Sequence, residues 1–299
     1  MTNHPFDLRS FWPPAAHKKK LACVTMARNE EFFLEMMVRH YLAADDDVDF
    51  YIIDHASTVP VQDFLKATFP ELRSGRINVI RIPDIPFDDD YKAVSLSNLG
   101  SMVTRSHEVV IVSDADELVF TEGGNLVQTC LSHASDIIAP LGFEVVQNTS
   151  IEGCYDLSLS AFEQRTCGFF KSSQTKPVVW KAPTMASAGL HKALHPFEIT
   201  SEILTLHMRL ADVDEATKRI EERKTSVFSE NQTKRNYGTY WAAPTDVRLR
   251  IFDTLQNKEL SPFVTTRDKF FNEVRSSVHK NPLGFYQPNL HIVSEMCVR

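Results

Sequence analysis

Four short apolar runs, Leu21–Met26, Phe50–Ile53, Ile77–Ile82 and Val109–Val112, recur about thirty residues apart near the start of the chain. Their β-branched and aromatic content suits strands buried on both faces. The segments between them carry helical spacing. From about Asn29, residues Phe33, Met37 and Tyr41 share one face, with Leu34, Val38 and Leu42 beside them. Val61–Phe69 and Tyr91–Ser106 predict the next two helices. Asn29 is a suitable N-cap for the first, and Glu30 and Glu31 suit the positive end of its dipole. A strand–helix alternation of this length implies crossover connections and a largely parallel sheet. Right-handed crossovers place helices on both faces. The expected fold class is therefore α/β, with a mostly parallel, Rossmann-like sheet.

After residue 120 the pattern becomes mixed. Asp136–Leu141, Phe143–Val146, Pro177–Trp180 and Ile203–Leu206 predict further strands. Asp212–Val227 predicts a charged helix with Val213, Ala216 and Ile220 on its apolar side, and Asp246–Leu255 predicts another. The expected organisation is an irregular leader over 1–19, an α/β domain over 20–210, and a helical extension over 211–299 packed on the core. There is no internal repeat and no low-complexity segment.

The fourth run ends in Ser113-Asp114-Ala115-Asp116-Glu117. Side chains two apart on a strand share a face, so Asp114 and Asp116 are expected to converge. Two such carboxylates repel unless a cation or proton lies between them. A hard divalent metal is the natural occupant, and the crevice beyond the carboxyl ends of the strands is where open α/β sheets bind ligands. On this reading, deleting the Asp116 carboxylate relieves repulsion and leaves stability near the parent's. An EF-hand loop is excluded, because Val119 and Asn125 stand where it needs Gly and Glu.

Asp54 ends the second run, a place suited to a ribose hydroxyl or base edge, or to a turn in which Ser57 and Thr58 serve as caps. The first run ends in Thr25-Met26-Ala27-Arg28-Asn29-Glu30, with neither G-x-G-x-x-G nor a Walker A lysine. That excludes a dinucleotide dehydrogenase and a P-loop NTPase. A net charge of −7 without a long basic block argues against a nucleic-acid partner. Five cysteines without C-x-x-C spacing read as reduced thiols of a cytoplasmic protein. The first twenty residues lack the apolar core of a signal peptide. No run reaches the roughly 20 apolar residues that span a bilayer. Peripheral membrane contact stays open, although Lys18-Lys19-Lys20 reads first as a solvated flank.

The order and spacing of Ala27-Arg28-Asn29-Glu30-Glu31, Tyr51-Ile52-Ile53-Asp54-His55-Ala56-Ser57-Thr58 and Ser113–Glu117 resemble the family-2-like glycosyltransferases of the GT-A fold. The resemblance is to the subgroup with an RNE or KNE helix start and an Asp-x-Asp-Glu motif. Lys176–Lys181, Gly189–Ala193 and Leu204–Arg209 are also similar to that subgroup, so the likeness covers about residues 20–225. Val59 departs from it, standing where an acidic residue is usual. The Gln-x-x-Arg-Trp motif of processive synthases is missing.

The resemblance implies a metal-dependent transferase that moves a sugar from a nucleotide-diphosphate donor to a hydroxyl acceptor on a glycan, lipid or protein. It implies that Arg28, Glu30, Asp54, Asp114 and Lys192 bind the nucleotide, with Asp54 on the nucleoside. Asp114 and Asp116 would hold Mn²⁺ or Mg²⁺, and His207, just past an apolar run, could supply a nitrogen ligand or a donor to the diphosphate. The ion would bridge the two phosphates and neutralise charge on the departing diphosphate. Lys192 and Arg209 could pair with phosphate oxygens, and His191, between Gly189 and Lys192, is a further residue of interest. Glu144, Asp156 and Glu163 are candidate bases for the acceptor hydroxyl. Trp180, Tyr240 and Trp241 suit either sugar stacking or packing. The competing readings are a metal-dependent nucleotidyl or phosphoryl transferase using the same acids, and a non-catalytic nucleotide-sugar-binding relative.

Overall fold

A computed structural model describes residues 17–72, 75–235, 244–255 and 261–297. Tyr240, Trp241 and most of the expected leader lie outside them. The opening alternation is present as expected: β1 (Lys19–Ala27), α1 (Glu31–Ala44), β2 (Asp49–His55), α2 (Val61–Thr68), β3 (Ile77–Ile82), α3 (Asp89–Val103) and β4 (His107–Val112). β3, β2, β1 and β4 lie side by side in that order, each pair parallel. Phe33, Leu34, Met37, Val38 and Tyr41 of α1 are buried, as the spacing predicts.

The cap of α1 differs from the expectation. Glu30 takes the N-cap place, and Asn29 turns into left-handed backbone at φ 51°. The Asn29 Oδ1 accepts from the Thr58 N–H at 2.8 Å, and its own N–H donates to Ser57 Oγ at 3.2 Å. Asn29 thus ties the loop after β1 to the loop after β2, where a short polar side chain tolerates positive φ. α3 begins two residues before the predicted start, because Asp88 caps it by accepting from the Asp90 and Tyr91 N–H groups. That places Lys92 in its first turn, at the carboxyl end of the sheet.

Beyond β4 the chain runs through β5 (Glu117–Thr121), α4 (Leu126–Ser132), β6 (Ile137–Val146), α5 (Ala161–Gln164), β7 (Cys167–Lys171), β8 (Val179–Trp180) and β9 (Glu198–Leu210). β8 is antiparallel to both β4 and β6, β7 is antiparallel to β6, and β9 runs parallel to β6 and antiparallel to β5. The two strands predicted at 136–146 are one. Gly142 stands between them not as a break but as a close approach: a Cβ there would lie 2.1 Å from the Gln174 carbonyl carbon.

The last part holds α6 (Val213–Lys224), α7 (Glu230–Lys234), α8 (Thr245–Leu255), β10 (Ser261–Pro262), α9 (Phe263–Ser276), a small pair β11 (His279–Lys280) and β12 (Tyr286–Gln287), and β13 (Val293–Cys297). The extension is therefore not wholly helical. β13 pairs antiparallel with β7 and continues the main sheet, and Phe270 and Val274 of α9 join the main apolar core. No helix among the described residues is long and apolar enough to cross a membrane.

Candidate active site

β4 stops at Val112, and residues 113–116 form a tight turn into β5. The Glu117 N–H donates to the Asp114 carbonyl at 3.0 Å, and Ser113 Oγ donates to the Glu117 carbonyl. The turn, rather than strand alternation, holds Asp114 and Asp116, and each carboxylate meets its own cation. Asp114 pairs with Lys92 of α3 at 2.5 Å and faces Lys176 at 3.8 Å. Asp116 pairs with Arg219 of α6, and His207 Nε2 lies 3.3 Å from the same oxygen.

Strand register assembles the rest. His207 on β9 stands opposite Glu117 of β5 and Glu144 of β6. Its Nδ1 is 3.0 Å from Glu144 Oε1, and Arg209 grips Glu144 with two bonds of 2.9 Å. Lys176, buried in the loop before β8, holds Glu117 at 2.5 Å. Glu30, at the start of α1, accepts from Arg219 and Arg223, and the Arg219 guanidinium also lies over the Phe33 ring at 4.6 Å. Five carboxylates (Glu30, Asp114, Asp116, Glu117, Glu144) thus face five permanent cations (Lys92, Lys176, Arg209, Arg219, Arg223).

Burial raises every one of the Asp114, Asp116 and Glu144 carboxyls, but the cations outweigh it. Lys92 and Lys176 hold Asp114 at about 2. Arg219 and His207 hold Asp116 well below the usual range. Arg209 and His207 hold Glu144 at about 2. Burial pushes Glu117 up, with Lys176 opposing. Burial pulls His207 down, yet Glu144 and Asp116 raise it above its ordinary value.

The other expected site residues have different surroundings. Asp54 is fully buried and consumed by its own turn. It accepts from the Ser57 N–H at 2.8 Å, the Val61 N–H at 3.3 Å and Arg81 at 3.1 Å, while Pro60, and not Ser57 or Thr58, takes the N-cap place of α2. Arg28 pairs with Asp84 at 2.6 Å on the surface. Glu30 positions arginines rather than standing open to a nucleotide. Asp156 closes a turn with Ser158, and Glu163 completes a capping box with Ser160, so both expected bases do local structural work. Glu144 is fully buried, with both oxygens engaged by Arg209 and one also facing His207. Trp180 is fully buried on β8, with its indole N–H on the Pro177 carbonyl at 2.7 Å, and packs in the core rather than on a sugar. Lys192 is half-buried beside His191.

Lys92, Arg219 and Arg223 were not singled out by sequence. The signal available was a pair of arginines four apart flanking Ile220 on the apolar side of α6, where a cation needs a buried partner. The Asp116 expectation changes with them. Its removal takes one of the two carboxylates that hold a buried guanidinium, leaving only Glu30, and does not relieve repulsion.

The residues present do not fit Mn²⁺ or Mg²⁺ as expected. No group of three or more His, Cys, Asp or Glu among the described residues is arranged to hold an ion. Asp114 and Asp116 are each taken by a side-chain cation, and both ring nitrogens of His207 face carboxylates. A histidine ligand must offer a bare nitrogen.

His191 gives a pH prediction. Burial, then the charge of Lys176, lowers it to about 3, and its Nδ1 is shut from solvent without a partner. An unfolded histidine titrates near 6.5. The unfolded chain therefore binds more protons below that pH, and stability from this group is complete above pH 6.5 and lost as pH falls towards 3. Between pH 6.5 and 5 the loss is about 2 kcal/mol. His191→Gln should lose less on acidification, measured as the difference in urea unfolding at pH 7 and pH 5. The comparison separates His191 from His40 and His55, which burial also lowers. Equal losses in both proteins would contradict it.

No family model and no curated protein matches the chain. Similar solved structures include S. aureus TarS 1–349, at 10% identity over 80% of this chain and 76% of that one, with a TM-score of 0.39. The same protein in complex with UDP gives 0.37. The mannosyltransferase PcManGT from Pyrobaculum calidifontis, in complex with GDP-Man and Mn²⁺, is 9% identical over 84% of this chain and 77% of that one, with a TM-score of 0.36. At these TM-scores the likeness says nothing of this chain's chemistry.

Proposed function

We propose that the protein is a glycosyltransferase that moves a sugar from a nucleoside-diphosphate donor to a hydroxyl acceptor, at the carboxyl ends of β1, β2 and β4. The observation that carries this reading is the convergence of Lys92, Lys176 and Arg219 on the acidic turn after β4. The cluster is buried but not sealed: the side chains of Asp114, Arg209 and Arg223 keep 23%, 22% and 30% exposure. An anionic diphosphate can therefore reach preorganised cations from solvent.

In the reaction the acceptor oxygen bonds to the anomeric carbon, the acceptor's proton leaves to solvent or base, and the bond to the diphosphate oxygen breaks with its electron pair. The charge that builds on the diphosphate is what fixed cations stabilise most. Asp114, Asp116 and Glu117 keep Lys92, Arg219 and Lys176 aimed at that point before the donor arrives. The acceptor is a hydroxyl on a glycan, lipid or protein. A cytoplasmic location goes with this reading, because Cys23, Cys130, Cys154 and Cys167 are free thiols.

The test is incubation with UDP-, GDP- and dTDP-sugars and a panel of hydroxyl acceptors. Release of nucleoside diphosphate with transfer of the sugar is expected. Release of pyrophosphate or nucleoside monophosphate would support nucleotidyl or phosphoryl transfer instead. Binding without turnover on any acceptor would support a non-catalytic relative.

A further inference from the structure

Resting on that reading, we infer that the site binds the donor's diphosphate with the side-chain cations Lys92, Lys176 and Arg219 and needs no divalent metal. Three elements supply these cations independently: the first turn of α3, the loop before β8, and α6. Each is anchored by a carboxylate that a metal would otherwise use. Lys92 holds Asp114 at 2.5 Å, Arg219 holds Asp116, and Lys176 holds Glu117 at 2.5 Å.

A divalent ion entering here must evict Lys92 from Asp114 and Arg219 from Asp116. Those two side chains keep only 14% and 11% exposure. Stranding buried charges without partners opposes such an exchange strongly. His207 itself stands between two of the carboxylates, with Nδ1 3.0 Å from Glu144 and Nε2 3.3 Å from Asp116.

An incoming diphosphate meets the opposite situation. An ammonium carries three N–H donors and a guanidinium five, more than these carboxylates take up. Phosphate oxygens can bind the remaining donors while the carboxylates keep the cations in place. Charge-assisted bonds of this kind are among the strongest available. The anchors explain why acids and bases are interleaved so densely at the tip of β4. Without Asp114, Asp116 and Glu117, three like charges could not be held together in a buried site.

The experiment is calorimetry of UDP and GDP with the intact protein, once with EDTA and once with added Mn²⁺. At least one nucleotide is expected to bind with the same affinity in both conditions. Binding that requires Mn²⁺ would overturn the inference while leaving the glycosyltransferase reading intact. Failure of both nucleotides to bind in either condition would overturn both.

A second arm uses Arg219→Met, whose side chain can still cover Phe33. In EDTA its nucleotide affinity should fall about tenfold or more, the effect of losing a charge-assisted bond. Lys92→Met is the companion variant if Arg219→Met does not fold, with the same loss expected in EDTA. Parental affinity in EDTA for a folded variant would overturn the inference.

Discussion

An Asp116→Ala protein is expected to be less stable than its parent by up to about 3 kcal/mol, the low end of the cost of removing one partner from a buried ion pair, because Arg219 retains Glu30. Asp116 is almost completely covered, and its carboxylate answers both Arg219 and His207. Without it, Arg219 keeps Glu30 but faces an empty, apolar replacement. Domains of this kind have only about 5–15 kcal/mol in total, so the loss is visible directly in urea unfolding. The double variant Asp116→Ala/Arg219→Met should recover a large part of it, because the guanidinium that lost a carboxylate is then gone as well, while Glu30 keeps Arg223. A single variant with near-parental stability would show that the two carboxylates were in fact repelling each other.

Trp180→Ala should cost at least as much, roughly 3–5 kcal/mol, through a cavity rather than a lost ion pair. Trp180 sits on a two-residue strand between β4 and β6, opposite Val110 and Ile137. Its ring fills the space left by Gly100 on α3, where a Cβ would come within 2.8 Å of Trp180. Truncation therefore opens a void directly beneath the strand that carries the acidic turn. Unfolding curves measure the stability, and a nucleotide titration of the surviving folded protein separates the two roles considered for this residue. Large destabilisation with nucleotide affinity little changed is expected. Full stability with lost sugar-dependent affinity would put Trp180 at a sugar face.

The first ninety residues of the α/β core were legible because each element is long enough to repeat its own period. α1 shows this most clearly, with Phe33, Leu34, Met37, Val38 and Tyr41 all facing inwards. The acidic turn and His207 were legible as candidates, although His207 lies within β9 and not past a strand as the sequence suggested. What the acids are paired with was not. Asp116 and Arg219 are 103 residues apart in sequence, and no local spacing records such a contact. The expectation of a metal followed from seeing two carboxylates without their cations. β5, β7 and β13 escaped for a related reason: each owes its strand geometry to a partner far along the chain, as β13 does to β7. Asp54 had two local readings, and neither showed that Arg81 and the α2 N-terminus would take up its carboxylate.

The most direct test of the whole account is a crystal structure of the protein grown with UDP or GDP. The diphosphate should lie at the tip of β4, with its oxygens within hydrogen-bond distance of Lys92, Lys176 and Arg219. A nucleotide bound elsewhere, with those three side chains still closed on their carboxylates, would contradict it.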